Sequence, residues 1–502
     1  MADIKKLAKE TAVYGVSSIL GRFLNWCLVP LYTYVLADTA EFGIYTNIYA
    51  WTALALVILT YGMETGLFRF INKTENDPLT VYGTALTSLF VTSSLFLAVV
   101  LPNSGTVAAW LGYGKHPEYI AIMAAVLAMD AFGSIVFAYL RHKKKSVRFA
   151  LLKLFFIVAN ILCNIFFLVL CPKIWESAPR YISWFYVPDY GVGYIFVSNL
   201  IATSLETLLL LPSVFVGRLR FDSGLLARML RYSLPILVFG VVGIMDQSLD
   251  KMLYPMLLDD RDAAESQLGI YGACYKIALI MMLFTQAFRY AYEPFVFSKN
   301  KDADSRKVYA DIMKYYIITA LAICLGMVAY LDILKYLIHS SYWEGLVVVP
   351  IILASYLFQG IYFNLSFWYK LADRTIWGVY LSLLGCVVNC ALLFLLVPRI
   401  GYVGAALASL SAYTVMMLVS YFLSQKNMPV DYDLHAIFKY VGLAAMLFAG
   451  MEIFKTRWFW VNILINTCLL AIFVVYLVRT DLPLSQIPLI NKSVKRNKKQ
   501  VS

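Results

Sequence analysis

Long apolar runs follow one another along nearly the whole chain, and they restrict the possible fold more than any other feature. A helix needs about 20 mostly apolar residues to cross the hydrocarbon core of a bilayer. Fourteen candidate spans lie at 12–36, 43–68, 79–101, 118–140, 148–170, 192–216, 232–256, 268–290, 308–331, 347–369, 378–397, 402–423, 435–454 and 458–478. Only 14% of the residues are charged, whereas about 25% is usual in a soluble domain. We therefore predict an all-α polytopic membrane protein with about 14 transmembrane helices.

Basic residues are distributed unequally between the two sides of the membrane. Lys and Arg are concentrated in the leader, the tail and the alternate loops that would share one side, and RHKKKSVR at 141–148 is the strongest cluster. Cytoplasmic loops of membrane proteins carry this excess. We predict a multi-pass protein of the cytoplasmic (inner) membrane with both termini in the cytoplasm. The formal net charge of +12 follows mainly from this topology, so it does not indicate a nucleic-acid partner.

Two pairs of short segments recur at nearly the same distance along the chain. The motif EFGIY, with Gly43, opens the second candidate span, and QLGIY, with Gly269, opens the eighth. Asn164 and Asn389 begin two similar apolar segments, and their offset along the chain differs from that of the two glycines by a single position. Chance similarity between apolar segments is the alternative, but two matches at nearly one offset favour an internal repeat.

The repeat predicts how the chain is divided. Six helices per half is an even number, so both halves would have the same orientation, as in transporters built from parallel repeats. We predict two six-helix lobes around a central cavity, at 1–222 and 223–424. Two additional helices and a basic cytoplasmic tail would follow at 425–502.

Charged side chains occur inside several candidate spans, although burying a charge in a membrane is costly. Such residues usually face the interior of a helix bundle or a water-filled cavity. Arg22 lies deep in the first span, and we interpret it as part of a pathway. Arg289 and Glu293 lie near the end of the eighth span, where an i,i+4 ion pair that orders the helix end and a transport role fit equally well. The acidic candidates for ion coupling or charge pairing are Glu64, Asp130, Glu206, Asp246, Asp250 and Glu293.

The sequence contains no motif for catalysis or for a cofactor. It has no nucleotide-binding P-loop, no HExxH zinc motif and no second acid placed for glycosyl chemistry. Cys386 and Cys390 are one helical turn apart, but no His or acid accompanies them, so no metal site is predicted. We therefore expect a transporter rather than an enzyme.

Four parts of the chain resemble a known family. They are LGRFLNWCLVPLYTYVL with EFGIY, RYSLPILVFGVVGIMDQSLDKMLY with LGIYGACYKIALIMMLFTQAFRYAYEP, QGIYFNLSFWYKLADRT, and PRIGYVGAALASLSAYTVMMLVSYFLSQ. On these segments the chain resembles the polysaccharide transport family, the Wzx-like oligosaccharide flippases of the multidrug/oligosaccharidyl-lipid/polysaccharide exporter superfamily. The resemblance covers most of positions 1–425, and the last two candidate spans carry no matching motif.

The resemblance implies a function. Family members move undecaprenyl-pyrophosphate-linked oligosaccharides, such as O-antigen, capsule or exopolysaccharide repeat units, across the cytoplasmic membrane by alternating access. The lipid-linked oligosaccharide, membrane lipids, a polysaccharide polymerase and glycosyltransferases are therefore the expected partners. A lipid II flippase and an H⁺- or Na⁺-coupled multidrug exporter of the same superfamily remain alternatives.

The resemblance also implies candidate substrate-binding residues. Because the pyrophosphate is anionic, a cationic cavity would attract it, and the candidates for its lining are Arg22, Asn25, Lys276 and Arg289. Arg289 would receive the pyrophosphate at the cytoplasmic mouth, and Glu293 would keep the arginine oriented. Pro294 would end the helix at this point.

Overall fold

The structure of the protein is a computed structural model that describes residues 23–24, 26–217, 219–299 and 305–481. Every regular element in these ranges is helical. The helices are α1 (Leu28–Val35), α2 (Thr39–Thr60), α3 (Met63–Ile71), α4 (Pro78–Val100), α5 (Ser104–Leu111), α6 (Pro117–His142), α7 (Ser146–Ile165), α8 (Cys171–Ser177), α9 (Gly193–Val214), α10 (Ser223–Leu253), α11 (Arg261–Lys299), α12 (Ser305–Ala329), α13 (Leu331–Leu334), α14 (Val348–Leu365), α15 (Phe367–Leu371), α16 (Ile376–Asn427), α17 (Leu434–Ile453) and α18 (Phe459–Thr480).

Twelve helical segments in the described residues are long and apolar enough to cross a membrane. The all-helical membrane fold is therefore confirmed, whereas the count of fourteen spans is not. About half of the first predicted span, 12–36, lies outside the described residues. The eleventh and twelfth predicted spans both fall within α16, where Ile400 and Gly401 have non-helical backbone angles. These two spans thus correspond to the two parts of one interrupted helix.

Contacts between Cα atoms divide the chain into two compact units. The first unit comprises Met1–Lys276, Ser341–Gly345 and Ile376–Ala412. The second unit comprises Ile277–Ser340, Leu346–Thr375 and Tyr413–Ser502. These units follow contacts rather than the sequence repeat, so the lobes at 1–222 and 223–424 stay a prediction.

Side-chain caps define where α4 and α10 begin. Asp77 accepts hydrogen bonds from Thr80, at 2.8 Å from its hydroxyl group and at 3.0 Å from its backbone nitrogen. These bonds hold the pKa of Asp77 below its usual range. Pro78 occupies the first turn of α4, and Asp222 accepts a hydrogen bond from the backbone nitrogen of Leu225 at 3.0 Å. Such caps satisfy amide groups that have no partner inside the helix.

Aromatic side chains form much of the core of the first unit. Tyr82 of α4 and Tyr139 of α6 stack with their ring centroids 4.0 Å apart. The Tyr82 hydroxyl also donates a hydrogen bond to the carbonyl oxygen of Ser213 in α9, at 3.0 Å. Buried Leu67 of α3 belongs to the same cluster. This packing fixes the helices that carry the charged residues of the first unit.

In the second unit, polar contacts tie the last two helices to α12. Lys314 of α12 forms an ion pair with Asp481 at 2.5 Å, and the Tyr440 hydroxyl of α17 donates to the same carboxylate at 2.5 Å. Farther along α12, the hydroxyl groups of Tyr316 and Thr285 are 3.0 Å apart and hydrogen-bonded. The two C-terminal helices are therefore part of this unit.

One sequence prediction about α11 is wrong. The helix continues through Pro294 to Lys299, so the proline does not end it. Proline removes one hydrogen bond from a helix, but membrane helices tolerate it where other groups satisfy the freed carbonyl. The 39 residues of α11 extend over about 58 Å at 1.5 Å per residue, which exceeds the ~30 Å hydrocarbon core.

Candidate functional site

The predicted cationic residues are only partly covered by the structure. Arg22 and Asn25 lie outside the described residues. Lys276 is partly buried in α11, and its carbonyl oxygen accepts a hydrogen bond from Trp26 Nε1 at 2.7 Å. The Lys276 ammonium group interacts electrostatically with Lys251 of α10, so two like charges lie near each other here.

Glu64 of α3 forms an ion pair with Arg141 at the end of α6. The guanidinium group also lies over the rings of Phe68 and Phe149, at 5.1 and 5.8 Å from their centroids. One positive and one negative charge balance each other in this pair. Arg141 belongs to the basic cluster that the sequence analysis assigned to the membrane surface, and its partner could not be read from that cluster.

A second charge cluster lies on α6, α7 and α9. Lys153 Nζ is 3.2 Å from Glu206 Oε1, and the Glu206 side chain is only 4% exposed. Lys153 also lies 3.9 Å from the centroid of the Phe137 ring. Asp130 interacts electrostatically with both Lys153 and Glu206. Two of the predicted acids, Asp130 and Glu206, are thus brought together around one lysine.

A third charge cluster joins α10 to α11. Asp250 is buried and pairs with Lys251, with 3.1 Å between Oδ2 and Nζ. The Tyr271 hydroxyl donates a hydrogen bond of 2.6 Å to Asp250. Lys251 lies 3.7 Å from the centroid of the Tyr275 ring. Asp246 lies one turn before Asp250 and is partly buried.

The fourth charge cluster, in the second unit, contains two cations and one acid. Arg289 Nε is 2.9 Å from Glu293 Oε1, so the i,i+4 pair is formed. Lys370 of α15 reaches the same carboxylate oxygen at 2.9 Å. The Arg289 guanidinium group lies 4.9 Å from the centroid of the Phe363 ring, and its side chain is 44% exposed. This cationic cluster therefore keeps a net charge of one positive unit beside an open guanidinium group.

Sequence reasoning did not find Lys370 as a member of this cluster. Lys370 and Glu293 are 77 residues apart, so helical spacing cannot connect them. The available signal was the position of Lys370 at the end of an apolar run, at the same predicted membrane side as Arg289. A cation at that level is a candidate partner for any acid at the end of a neighbouring span.

An apolar groove of about 640 Å³ lies in the second unit between α12, α14, α16 and α17. Its lining includes Leu321, Leu353, Ile361, Leu418 and Phe438, and it contains no charged residue. Ligand pockets commonly have volumes of about 300–1,000 Å³. The groove is therefore large enough to hold a substantial part of an apolar chain.

Two narrow clefts, each about 10 Å³, share lining residues with the surroundings of the cationic cluster and of the apolar groove. Asn364 and Phe367 line both the cleft beside Arg289 and the following one. Leu365 and Tyr432 line this second cleft and also the apolar groove. Burial raises the pKa of Tyr432 to about 12, so its hydroxyl stays neutral at the junction. A cationic cluster and an apolar groove thus lie in the same part of the second unit.

The arrangement suits binding and charge compensation. No group of three or more His, Cys, Asp or Glu side chains that could hold a metal ion occurs among the residues that the structure describes. The cationic cluster offers guanidinium and ammonium donors, which are the usual protein partners of phosphate oxygens. The cluster around Lys153 instead offers carboxylates in excess, which suits a proton or a cation.

Comparisons with known proteins are consistent over most of the chain. A sequence model of the family described as polysaccharide biosynthesis protein matches residues 7–292, more than half of the chain. No curated protein matches it. A solved structure of the lipid II flippase MurJ in an inward closed conformation is similar, with a TM-score of 0.70 and 14% identity, over 94% of this chain and 99% of that one.

Structures of multidrug transporters are similar as well. An inward-facing multidrug resistance MATE family transporter of the MOP superfamily has a TM-score of 0.62 and 13% identity, over 80% of this chain and 94% of that one. The MATE multidrug transporter DinF-BH has a TM-score of 0.57 and 16% identity, over 86% of this chain and 96% of that one. At these identities the likeness establishes the fold alone.

Proposed function

The chain belongs to the polysaccharide biosynthesis protein family, and from this membership we propose that it is a flippase for a lipid-linked oligosaccharide. The substrate that fits best is an undecaprenyl-pyrophosphate-linked repeat unit of O-antigen, capsule or exopolysaccharide. Such a molecule combines an anionic pyrophosphate, a polar oligosaccharide and a long apolar chain. The protein would act as a transporter and not as an enzyme.

The presence of the cationic cluster and the apolar groove in the same part of the second unit supports this proposal. Arg289 and Lys370 share one carboxylate, so their excess positive charge would attract the pyrophosphate. The apolar groove shares Leu365 and Tyr432 with the cleft next to it, and it would take part of the isoprenoid chain. A small water-soluble substrate would not require an apolar groove of about 640 Å³.

In the proposed cycle, the lipid-linked oligosaccharide enters from the cytoplasmic side, and the two predicted repeats then expose it to the opposite side. This direction rests on the predicted topology, with both termini in the cytoplasm of a bacterial inner membrane. The excess carboxylates around Lys153 would bind a proton or a sodium ion and couple its movement to the cycle. A polymerase and glycosyltransferases would supply or receive the lipid-linked substrate.

A flipping assay in proteoliposomes tests the proposal. Undecaprenyl-pyrophosphate-linked oligosaccharide would be incorporated into the vesicles, and its exposure would be followed with an added sugar-modifying enzyme. We expect protein-dependent exposure that falls at least fivefold in Arg289→Ala and in Lys370→Ala. Arg374→Ala is the matched control, because Arg374 is exposed and lies four residues after Lys370.

Other outcomes would identify other functions. Exposure of lipid II in place of the oligosaccharide would assign a lipid II flippase. Dye movement driven by H⁺ or Na⁺, without any lipid exposure, would assign a multidrug exporter. Equal loss of membrane abundance and exposure in Arg289→Ala would show that this arginine only orders the end of α11.

A further inference from the structure

The two GIY motifs meet each other in the first unit. A methyl group added to Gly43 of α2 would overlap the carbonyl oxygen of Glu265 in α11, and it would lie 3.1 Å from the nitrogen of Gly269. A methyl group added to Gly269 would overlap the carbonyl oxygen of Thr39, and it would lie 3.0 Å from the nitrogen of Gly43. The two helix backbones therefore touch directly at this glycine crossing.

The glycine crossing is reciprocal. Thr39 and Glu265 are separated along the chain by the same number of residues as Gly43 and Gly269, so they are equivalent positions of the repeat. Gly43 contacts Glu265, and Gly269 contacts Thr39, so the two contacts are equivalent as well. The next helical turn contains another contact between equivalent positions. A methyl group on Gly272 would lie 2.6 Å from the hydroxyl oxygen of Thr46, and these two residues have the same separation along the chain as the two glycines. Reciprocal contact between equivalent residues places them on a twofold axis. The crossing thus lies on the pseudo-twofold axis of the sequence repeat.

Polar bonds surround the glycine crossing, and the buried side chains of Phe42, Leu268 and Tyr271 flank it on the same two helices. The hydroxyl groups of Thr39 and Ser266 are 2.6 Å apart and hydrogen-bonded. Asn47 donates to the carbonyl oxygens of Lys251 and Met252 at 2.7 and 3.1 Å. Small residues let membrane helices approach closely, and single hydrogen bonds between such helices are individually weak.

From this geometry we propose that the glycine crossing is the outer gate of the transport path, and that it opens and re-forms once in each cycle. By the predicted topology, α2 and α11 both begin on the outer side, so the crossing seals that end of the path between the repeats. The bare backbones at Gly43 and Gly269 allow a tight seal on the axis. This inference rests on the proposed transport function, but its main test needs no substrate.

The main test measures how easily the crossing opens. Thr46→Cys is introduced into a chain whose eight free cysteines are replaced, because Thr46 is only 7% exposed beside the crossing. A membrane-impermeant maleimide added from outside should label this cysteine slowly. Gly269→Ala should raise the labelling rate about tenfold, since the overlap is with backbone atoms that no rotamer change can move away.

Gly243→Ala is the matched control, because a methyl group there meets no atom within 4 Å. It should leave the labelling rate unchanged. A labelling rate in Gly269→Ala equal to that of the control, at normal membrane abundance, would overturn the proposal. Gly43→Ala gives the same comparison from the other helix if Gly269→Ala does not reach the membrane.

A disulfide provides a second measurement. Thr39→Cys with Ser266→Cys should cross-link under oxidation, stop flipping, and recover after reduction. If the cross-linked protein flips its substrate at the full rate, the proposal that the glycine crossing is a gate is refuted. If the wild-type protein flips no lipid-linked sugar at all, the proposed function fails. The difference in labelling rate between Gly269→Ala and Gly243→Ala still decides whether the crossing opens.

Discussion

Replacing Lys153 with methionine tests whether the partly exposed ammonium group of α7 stabilises the buried carboxylate of Glu206 in α9. The distance of 3.2 Å between Lys153 Nζ and Glu206 Oε1 corresponds to a Coulomb energy of about 5 kcal/mol at an effective dielectric constant of ~20. The Lys153 side chain is 39% exposed, so its surroundings weaken this attraction. Because loss of one partner of a buried pair costs about 3–5 kcal/mol, we expect Lys153→Met to lower the free energy of unfolding by about 3 kcal/mol.

Replacing the acidic partner, Glu206, should destabilise the protein less. Glu206→Gln removes a buried negative charge and keeps a side chain of similar size that can still accept a hydrogen bond. We expect it to lower the free energy of unfolding by about 1 kcal/mol. In the double variant, the lysine is absent and no charge is left at residue 206. The double variant should therefore be more stable than Lys153→Met alone, with a coupling energy of about 2 kcal/mol.

The free energies would be measured by reversible unfolding in mixed micelles with an increasing fraction of a denaturing detergent. Lys145→Met is the control, because Lys145 is exposed just before α7 and its replacement should stay within about 0.5 kcal/mol of the wild type. Additive losses in the double variant, with a coupling energy below about 0.5 kcal/mol, would refute the reasoning. They would mean that the ammonium and carboxylate groups do not stabilise each other.

Two further predictions concern the apolar groove and the third charge cluster. Ala445→Trp should fill the groove and slow flipping several-fold at normal abundance, whereas Ala449→Trp on the same helix lies outside the groove and should not; equal rates would exclude the groove from substrate binding. Tyr271→Phe removes a donor 2.6 Å from the buried carboxylate of Asp250, and it should lower the free energy of unfolding by about 1–3 kcal/mol; an unchanged value in the micelle assay would contradict that role of the hydroxyl.

Local features of the chain were predictable because they depend on neighbouring residues. Hydropathy over about 20 residues locates a span without knowledge of its partners, and the positions of most predicted spans agree with the helices. The i,i+4 spacing of Arg289 and Glu293 likewise predicts their ion pair, which the structure contains. The break at Gly401, with φ of +56°, falls between two spans that the sequence separates.

Contacts between distant residues could not be predicted in the same way. Glu64 and Arg141 are 77 residues apart, and Lys153 and Glu206 are 53 residues apart. Their pairing depends on which helices are neighbours and how each helix is rotated, and a single sequence does not contain that information. The glycine crossing was not predicted either, because a repeat relates its two motifs without requiring equivalent residues to meet.

The sign of the excess charge distinguishes these charge clusters better than their burial does. The ion pair between α3 and α6 is balanced, so it requires no further ligand. Lys153 faces Glu206 and Asp130, which gives that cluster an excess negative charge, whereas Glu293 faces Arg289 and Lys370 and leaves an excess positive one. An unbalanced charge in a low-dielectric environment must be compensated by a proton, an ion or a ligand. We therefore expect a coupling cation at the cluster around Lys153 and an anionic substrate group at the cationic cluster. Substitutions in the balanced pair should change stability without changing which ligand is transported.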